Sequence, residues 1–136
     1  MNSNYASSFA ENLATVYREN RPEGLPESIQ IVHEGSSDER QRPCAIFSSS
    51  GEEWLHPKLQ NAEITLELQI RKGDDGAADA KAWMDKLKSA MLQLALAAVP
   101  EGCDLRYLMV GADGKVEEET GWVYSALWRV RFQQRG

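Results

Sequence analysis

Residues 62–71 read Ala-Glu-Ile-Thr-Leu-Glu-Leu-Gln-Ile-Arg, and this stretch decides the fold. Every second position is aliphatic: Ile64, Leu66, Leu68 and Ile70. Because successive side chains of a β-strand point to opposite faces, the alternation predicts one strand with an aliphatic face and a polar face. A slip of one residue would move all four aliphatic side chains into water, so the orientation of this strand is strongly specified.

Two helices are predicted on either side of this strand. The first carries apolar residues at the helical period, namely Tyr5, Phe9, Leu13 and Val16. Ser8 and Glu11 have capping-box spacing at its start. The second and longer helix is predicted over residues 77–98, after a Lys-Gly-Asp-Asp-Gly turn whose aspartates Asp74 and Asp75 can cap it. Its apolar side is predicted to contain Trp83, Leu87, Ala90, Met91, Leu94 and Ala98.

Five further segments are predicted to be extended. Short strands are expected at residues 28–33 and 43–47, and residues 48–61 are expected to form a loop of about fourteen residues that begins with a turn at 48–51. After the long helix, a strand is expected at 103–110. An Asp-Gly turn at 112–115 then leads to a polar return strand at 116–120, and a long alternating strand follows at 121–132.

The predicted order is helix, three strands, helix, three strands. Strands grouped before and after one long helix favour an α+β fold over a series of βαβ units. We therefore expect one α+β domain over residues 1–136. It would contain a single mixed, mainly antiparallel sheet with the N-terminal helix and one long amphipathic helix packed on it.

Composition narrows the classes of partner. The net charge is −6, and an acidic surface repels a phosphate backbone, so sequence-independent nucleic-acid binding is disfavoured. The first residues have neither a basic nor an apolar segment, and the longest apolar run is about half of a membrane span. We expect a cytoplasmic protein without a membrane partner. Cys44 and Cys103 are far apart in the sequence and are expected to be buried thiols.

No pattern in the chain predicts catalysis. His33 and His56 are the only histidines, and neither belongs to a zinc or nucleophile motif. Glu63 and Glu67 point the same way on the predicted strand but lie about 13 Å apart, which is too far for paired-carboxylate catalysis. We expect a protein that is not an enzyme, with no catalytic residues, no metal site and no cofactor.

The layout resembles the tail terminator proteins of long-tailed phages and prophages, also called tail-completion or head–tail joining proteins. The resemblance covers most of the chain. Its parts are the Pro-Cys-Ala-Ile-Phe strand at 43–47, the alternating strand at 63–71, the long helix with its Ala-x-x-Trp-Met-x-x-Leu motif at 80–87, and the closing Trp-Arg-Val-Arg-Phe at 128–132.

The resemblance implies a structural role. Such a protein would be a ring subunit, a hexamer in this family, that terminates the tail tube and joins it to the head connector. DNA would pass through the ring without specific binding, and the protein would move from the cytoplasm to the virion tail. On this reading Trp54, Leu55 and Leu59 are candidate interface residues, and Glu63 and Glu67 are candidates for the lumen face. One alternative is a small-molecule-binding or enzymatic α+β domain with a pocket between sheet and helix, and another is a scaffold subunit of a secretion or contractile apparatus outside phages.

Overall fold

A computed structural model describes residues 4–36, 41–71 and 79–136. The helices and strands of the described residues are α1 Tyr5–Glu19, β1 Gln30–His33, β2 Cys44–His56, β3 Leu59–Arg71, α2 Ala80–Ala98, β4 Cys103–Glu117 and β5 Gly121–Gln134. The strands form one sheet in the order β1-β2-β3-β5-β4. The pair β1–β2 is parallel and the other pairs are antiparallel. The predicted α+β class is confirmed.

The alternating segment forms β3, which lies in the middle of the sheet. Its burial alternates at every residue from Leu59 to Ile70, because one face meets the helices and the other faces outward. We call these the inner and outer faces of the sheet. The inner side chains of β3 join those of β5, such as Trp128 and Phe132, in one core. The strand prediction at 62–71 is therefore confirmed and extends to Leu59.

Both helices pack on the inner face. In α1, the Phe9 ring lies 5.2 Å from that of Phe132, and the Tyr17 ring lies 4.9 Å from that of Phe47. The Tyr17 hydroxyl donates to the Leu87 carbonyl at 2.7 Å, which ties α1 to α2. Burial raises the pKa of this phenol well above its usual range.

The buried side of α2 is rotated relative to the prediction. Met84 and Ala95 are buried together with the expected Leu87, whereas Trp83 and Leu94 are only half-buried. Alanine-rich helices offer several apolar positions, and the tertiary packing selects among them. The first residues of the predicted helix and the aspartates expected to cap it, Asp74 and Asp75, lie outside the described residues.

The prediction of a loop at residues 48–61 is wrong. β2 continues through this segment to His56, β3 begins at Leu59, and only Pro57 and Lys58 connect them. The expected turn at 48–51 is also wrong, since Ser48 and Ser49 pair with β3. Serine, glycine and glutamate give no alternating signal, so pairing with β3 overrides the local preference. Gly51, with φ +62°, lies in the bulge that interrupts the pairing between Ser50 and Glu53.

The prediction of an Asp-Gly turn at residues 112–115 is wrong as well. β4 is continuous through it, with a bulge between Val110 and Asp113, so the sheet of the described residues has five strands and not six. The actual turn is closed by Glu118 N–H donating to the Gly121 carbonyl at 2.8 Å. Gly121 pairs so closely with β3 that a Cβ there would collide with the Ile70 carbonyl oxygen. Because Gly121 has no side chain, the chain can turn at this close distance from β3.

Two further predictions concern the N-cap of the first helix and the burial of the cysteines. The N-cap of α1 is Asn4, whose Oδ1 accepts from Ser7 N–H at 3.1 Å, so the cap expected from Ser8 and Glu11 is wrong. Cys44 and Cys103 are buried free thiols, as expected. Burial raises the pKa of the Cys103 thiol, and the negative charge of Asp104 raises it further to a smaller extent. Neither helix of the described residues has the length and apolar content needed to span a membrane.

Candidate interaction surface

The β1 edge of the sheet is closed by arginines from and after α1. Arg18 Nη1 donates to the Ile31 carbonyl at 3.0 Å, and Arg21 Nη1 donates to the Ile29 carbonyl at 3.0 Å. These carbonyls belong to β1 and to the residue just before it, on the side of the strand away from β2. An edge whose backbone acceptors already have donors is a poor template for another strand.

Beyond β1, however, the next strand is uncovered. β1 pairs only with residues 44–47 of β2, and the Glu34 N–H bond to the Phe47 carbonyl at 2.8 Å is the last rung. Among the described residues no strand pairs with residues 48–56 on this side. We call residues 48–56 the β2 edge. Most of its residues are exposed, and Leu55 is 45% exposed.

An acidic cleft lies in front of the start of the β2 edge. It has a volume of about 490 Å³ and lies between α1, the end of β1 and residues 48–52. Glu11, Glu34 and Glu52 line it, together with His33. Ser49 Oγ donates to Glu52 Oε1 at 2.9 Å, which holds that carboxylate beside the strand. The cleft therefore presents strand backbone between carboxylates, a setting that favours an extended segment with a basic side chain.

The opposite end of the sheet is formed by β4, whose exposed side chains include large apolar ones. Tyr107 and Met109 are exposed on the outer face, with the Tyr107 hydroxyl 3.0 Å from the Met109 sulfur. Val110 and Val116 are each 59% exposed. We call residues 105–116 the β4 edge. An exposed, long and partly apolar edge strand is a template for pairing with another chain.

The apolar surface continues onto α2. Lys88 Nζ contacts Asp113 Oδ2 at 2.6 Å, which joins α2 to β4. Leu92 and Leu96 follow Lys88 at four-residue intervals, so they lie on the same side of the helix. They are 75% and 74% exposed, the highest values among the large hydrophobic residues described. These leucines therefore lie on the side of α2 that Lys88 joins to β4.

The predicted interface residues Trp54, Leu55 and Leu59 lie around the β2–β3 hairpin, on the opposite side of the sheet from β4. Trp54 is half-buried, with its ring 5.7 Å from that of Tyr5, so much of it covers the core. Leu59 is half-buried and pairs with His56 and Gln133. Leu55 points most fully into solvent of the three. The structure thus brings the three residues together at the hairpin.

Glu63 and Glu67, the predicted lumen residues, lie on the outer face of β3 and are half-buried. Glu63 is opposite Ser50 on one side and Arg129 on the other. Glu67 accepts from Gln69 Nε2 at 3.4 Å. Arg131 lies on the same face and donates from Nε to Asn61 Oδ1 at 2.7 Å. The outer face is therefore of mixed charge around Glu63 and not uniformly acidic.

A smaller cavity of about 310 Å³ lies between α2 and the β4–β5 pair. Met84 and Tyr124 line its apolar part, and its charged lining consists of Lys81, Lys88, Lys115, Asp85 and Asp113. The Lys115 ammonium sits 4.6 Å from the Trp122 ring centroid and 5.4 Å from that of Tyr124. The described residues contain no group of three or more His, Cys, Asp and Glu side chains arranged to hold a metal ion.

Sequence reasoning missed the β4 edge and the two exposed leucines. The signal was present: Leu92 and Leu96 fall outside the apolar stripe of α2, and β4 carries apolar residues at both odd and even positions. Apolar residues on the wrong side of an element predict a surface that another surface covers.

The comparisons with known proteins assign no family. No protein-family model matches the chain, and a search of the curated proteins found no match.

Proposed function

We propose that the protein is a structural ring subunit of a phage or prophage tail, which terminates the tail tube and joins it to the head connector. One observation carries the proposal: among the described residues, no strand covers the outer side of the β2 edge or of the β4 edge, which lie at opposite ends of the sheet. Two different surfaces on opposite sides of one subunit are what a ring of identical contacts requires, because each copy must give one surface and receive the other.

The apolar surface around these edges supports assembly. Leu55 belongs to the β2 edge and Val110 to the β4 edge, and both are exposed, as are Leu92 and Leu96 on α2. A protein that stays monomeric seldom exposes this much large apolar surface near an unpaired strand. In this proposal Trp54, Leu55 and Leu59 belong to the contact between subunits, and the contact covers the hairpin.

The outer face of the sheet is the proposed wall of the ring lumen. Glu63 and Glu67 would face passing DNA, and their carboxylates would repel its phosphates. Arg129 beside Glu63 reduces that repulsion locally. The protein would be made in the cytoplasm as free subunits and end in the virion tail.

Assembly and tube termination are the two properties to test. Light scattering and negative-stain microscopy of the purified protein are expected to show a ring, with six copies if the family resemblance holds. Added to polymerising tail-tube protein from the same genome, the ring should shorten the tubes. Tubes of unchanged length, with no ring on their ends, would reject the proposal.

The cavity between α2 and the β4–β5 pair favours a second candidate, a small-molecule-binding domain. Lys88 is paired with Asp113, so the apolar lining beside the Lys81 and Lys115 ammoniums is the part that suits a small apolar anion. The check is a screen of aromatic and aliphatic carboxylates, followed through the Met84 methyl resonance. A saturable shift that Lys115→Ala weakens would support this candidate, and an unmoved Met84 signal across the screen would exclude it.

A further inference from the structure

We propose that the first part of the β2 edge, residues 48–52, binds a short extended segment of a partner protein, and that a lysine or arginine side chain of this segment enters the acidic cleft. The segment would join the sheet as a strand that follows β1 end to end. The inference goes beyond the ring, because it concerns a partner of another kind and leaves the hairpin with Leu55 to the contact between subunits.

The backbone of Ser49 is directed toward the open side of β2. The carbonyl of Pro43, just before β2, accepts from Gln30 N–H at 3.2 Å on the side of β1. The Phe47 carbonyl accepts from Glu34 N–H at 2.8 Å on the same side. Backbone groups of a strand point to one side at every second residue, so the N–H and carbonyl of Ser49 follow those of Phe47. Among the described residues no strand lies beside them, which makes them a template for an added strand.

The cleft is the space in which such a strand would lie. Its volume of about 490 Å³ is bounded by α1, by residues 33–35 at the end of β1, and by residues 47–49 and 52 of β2. Binding pockets of proteins have volumes of about 300–1,000 Å³. The added segment begins beyond the rung between Glu34 and Phe47, so it does not overlap with β1. A longer strand would continue into the space that β1 occupies, and the occupant is therefore a short segment.

One side chain of the segment would point into the cleft, namely the one opposite Ser49. Ser49 pairs with Ile64, which is buried on the inner face, so the Ser49 side chain also lies on that face. Directly opposite residues of neighbouring strands share a face. The facing residue therefore directs its side chain toward α1, where Ser7 and Glu11 line the cleft.

The chemistry of the cleft selects a cation with an aliphatic stem. Glu11, Glu34 and Glu52 are exposed carboxylates of its lining, and the lining that the structure describes contains no lysine or arginine. Ala10 and Phe47 also line it and suit the methylene stem of such a side chain. Exposed ion pairs contribute little affinity each. The backbone hydrogen bonds therefore hold the segment, and the carboxylates select its side chain.

The other edges of the sheet do not offer this combination. Arg18 and Arg21 occupy the backbone acceptors at β1. At the β4 edge, Asp113 contacts Lys88, and Lys115 lines the same cavity, so the charge there is mixed. Within the described part of the chain, residues 48–52 thus combine an open strand backbone with a cleft of one sign of charge.

The test measures binding of a fluorescein-labelled hexapeptide, Gly-Thr-Lys-Thr-Val-Thr, by fluorescence anisotropy at protein concentrations below that of assembly. Its β-branched residues favour the extended conformation. We expect saturable binding. Two control peptides, one with glutamate in place of lysine and one with N-methyl groups on alternate amides, should each bind roughly tenfold more weakly, because the first reverses the charge and the second removes backbone donors.

Variants of the protein locate the site. Glu11→Gln/Glu52→Gln should weaken binding of the lysine peptide roughly tenfold. The matched control is Glu53→Gln, which removes a carboxylate from the outer face of the same strand, opposite Asn61, and should leave binding unchanged. Hydrogen exchange of the Ser49 N–H should become slower when the lysine peptide binds, since this group would then donate to the peptide.

Equal binding of the three peptides, an unchanged exchange rate of the Ser49 N–H, or no saturable binding up to about 1 mM peptide would overturn the inference. If the assembled protein excludes a peptide that the monomer binds, a neighbouring copy occupies the cleft, and the assignment to a partner protein is wrong as well. These measurements need no oligomer, so their failure leaves the ring proposal to its own test by light scattering.

Discussion

At the residue scale, single side chains serve either the core or the exposed surface, and the two classes respond differently to substitution. Gln60, only 1% exposed, illustrates the first class: its Oε1 accepts from Ala6 N–H at 3.2 Å and fixes the start of α1 on β3. Leu55 illustrates the second, since its side chain is exposed and does not belong to the hydrophobic core cluster. Substitutions at these two kinds of position therefore separate stability from assembly.

Tyr17 connects stability to pH. The neutral phenol is the form that burial favours, and its folded-state pKa is raised above the usual 10.0. The stabilisation is therefore full below about pH 10 and is lost as the pH rises further. Tyr17→Phe should cost about 1 kcal/mol near pH 7, through the lost bond to the Leu87 carbonyl, and should reduce the loss of stability above pH 10.

Urea denaturation at neutral and alkaline pH measures both effects. Tyr107→Phe is the matched control at a concentration below that of assembly, because Tyr107 is exposed and its substitution should then change neither value appreciably. An identical alkaline loss in wild type and Tyr17→Phe would show that another group governs it.

Trp54 and Leu55 are neighbours with different expected effects. Trp54→Ala should lower the free energy of unfolding by roughly 1–3 kcal/mol, because its ring packs on Tyr5, in addition to any loss of assembly. Leu55→Asp should leave stability within about 0.5 kcal/mol of wild type and weaken assembly. Thermal denaturation in parallel with light scattering distinguishes the two. Unchanged assembly in both variants would remove these residues from the proposed contact.

At the element scale, the sheet depends on close approach at one turn and on bulges within its long strands. Gly121 lets β5 begin directly against the end of β3. The bulges in β2 and β4 let both strands continue where the sequence resembles a loop or a turn. These features extend the sheet to the edges on which assembly is proposed to depend.

Gly121→Ala should be strongly destabilising, by about 3 kcal/mol or more, since the added methyl group would overlap the Ile70 carbonyl of a central strand. Gly35→Ala is the control: among the described residues, its Cβ would meet the His33 ring alone, at ordinary contact distance. Equal melting temperatures for the two variants would contradict the tight pairing of β3 with β5.

Leu92 and Leu96 should matter for assembly and not for the fold. The double variant Leu92→Glu/Leu96→Glu is expected to retain its helical circular dichroism and its melting temperature, because both side chains are largely in solvent. It should dissociate assembled protein in sedimentation velocity experiments. Gln93→Glu, an exposed neighbour that adds charge at another angle of the helix, should not. Retained assembly in the double variant would place the contact elsewhere.

Regular elements were predictable and irregular ones were not, for a physical reason. β3, β5 and both helices bury one face, so their residues repeat at periods of two or about 3.6. β2 beyond Phe47 buries little, and its hydrophilic residues resemble a loop. The bulge at Val110 shifts the alternation of β4, so an Asp-Gly pair inside a strand resembled a turn. Of the proposed contact, Trp54 and Leu55 were predictable from their apolar character, whereas the β4 edge required the strand order.

At the scale of the whole molecule, assembly is expected to be steep in concentration. A subunit at the end of an open row of subunits makes one contact, whereas every subunit of a closed ring makes two. Sedimentation velocity should therefore show monomer and ring with little of any intermediate size. A smooth progression through dimer, trimer and larger species would indicate open-ended association.

The short length of β1 has a further consequence. β1 covers four residues of its thirteen-residue neighbour, so among the described residues only the remainder of β2 is open to a strand of another molecule. A contact of this length is too small to hold two copies together for long in isolation. Newly made subunits would separate and meet repeatedly, and incorrectly joined pairs would dissolve before they accumulate. Because β1 is short, association of the subunits would thus stay reversible until the last subunit closes the ring, and incorrect pairs would be removed by dissociation.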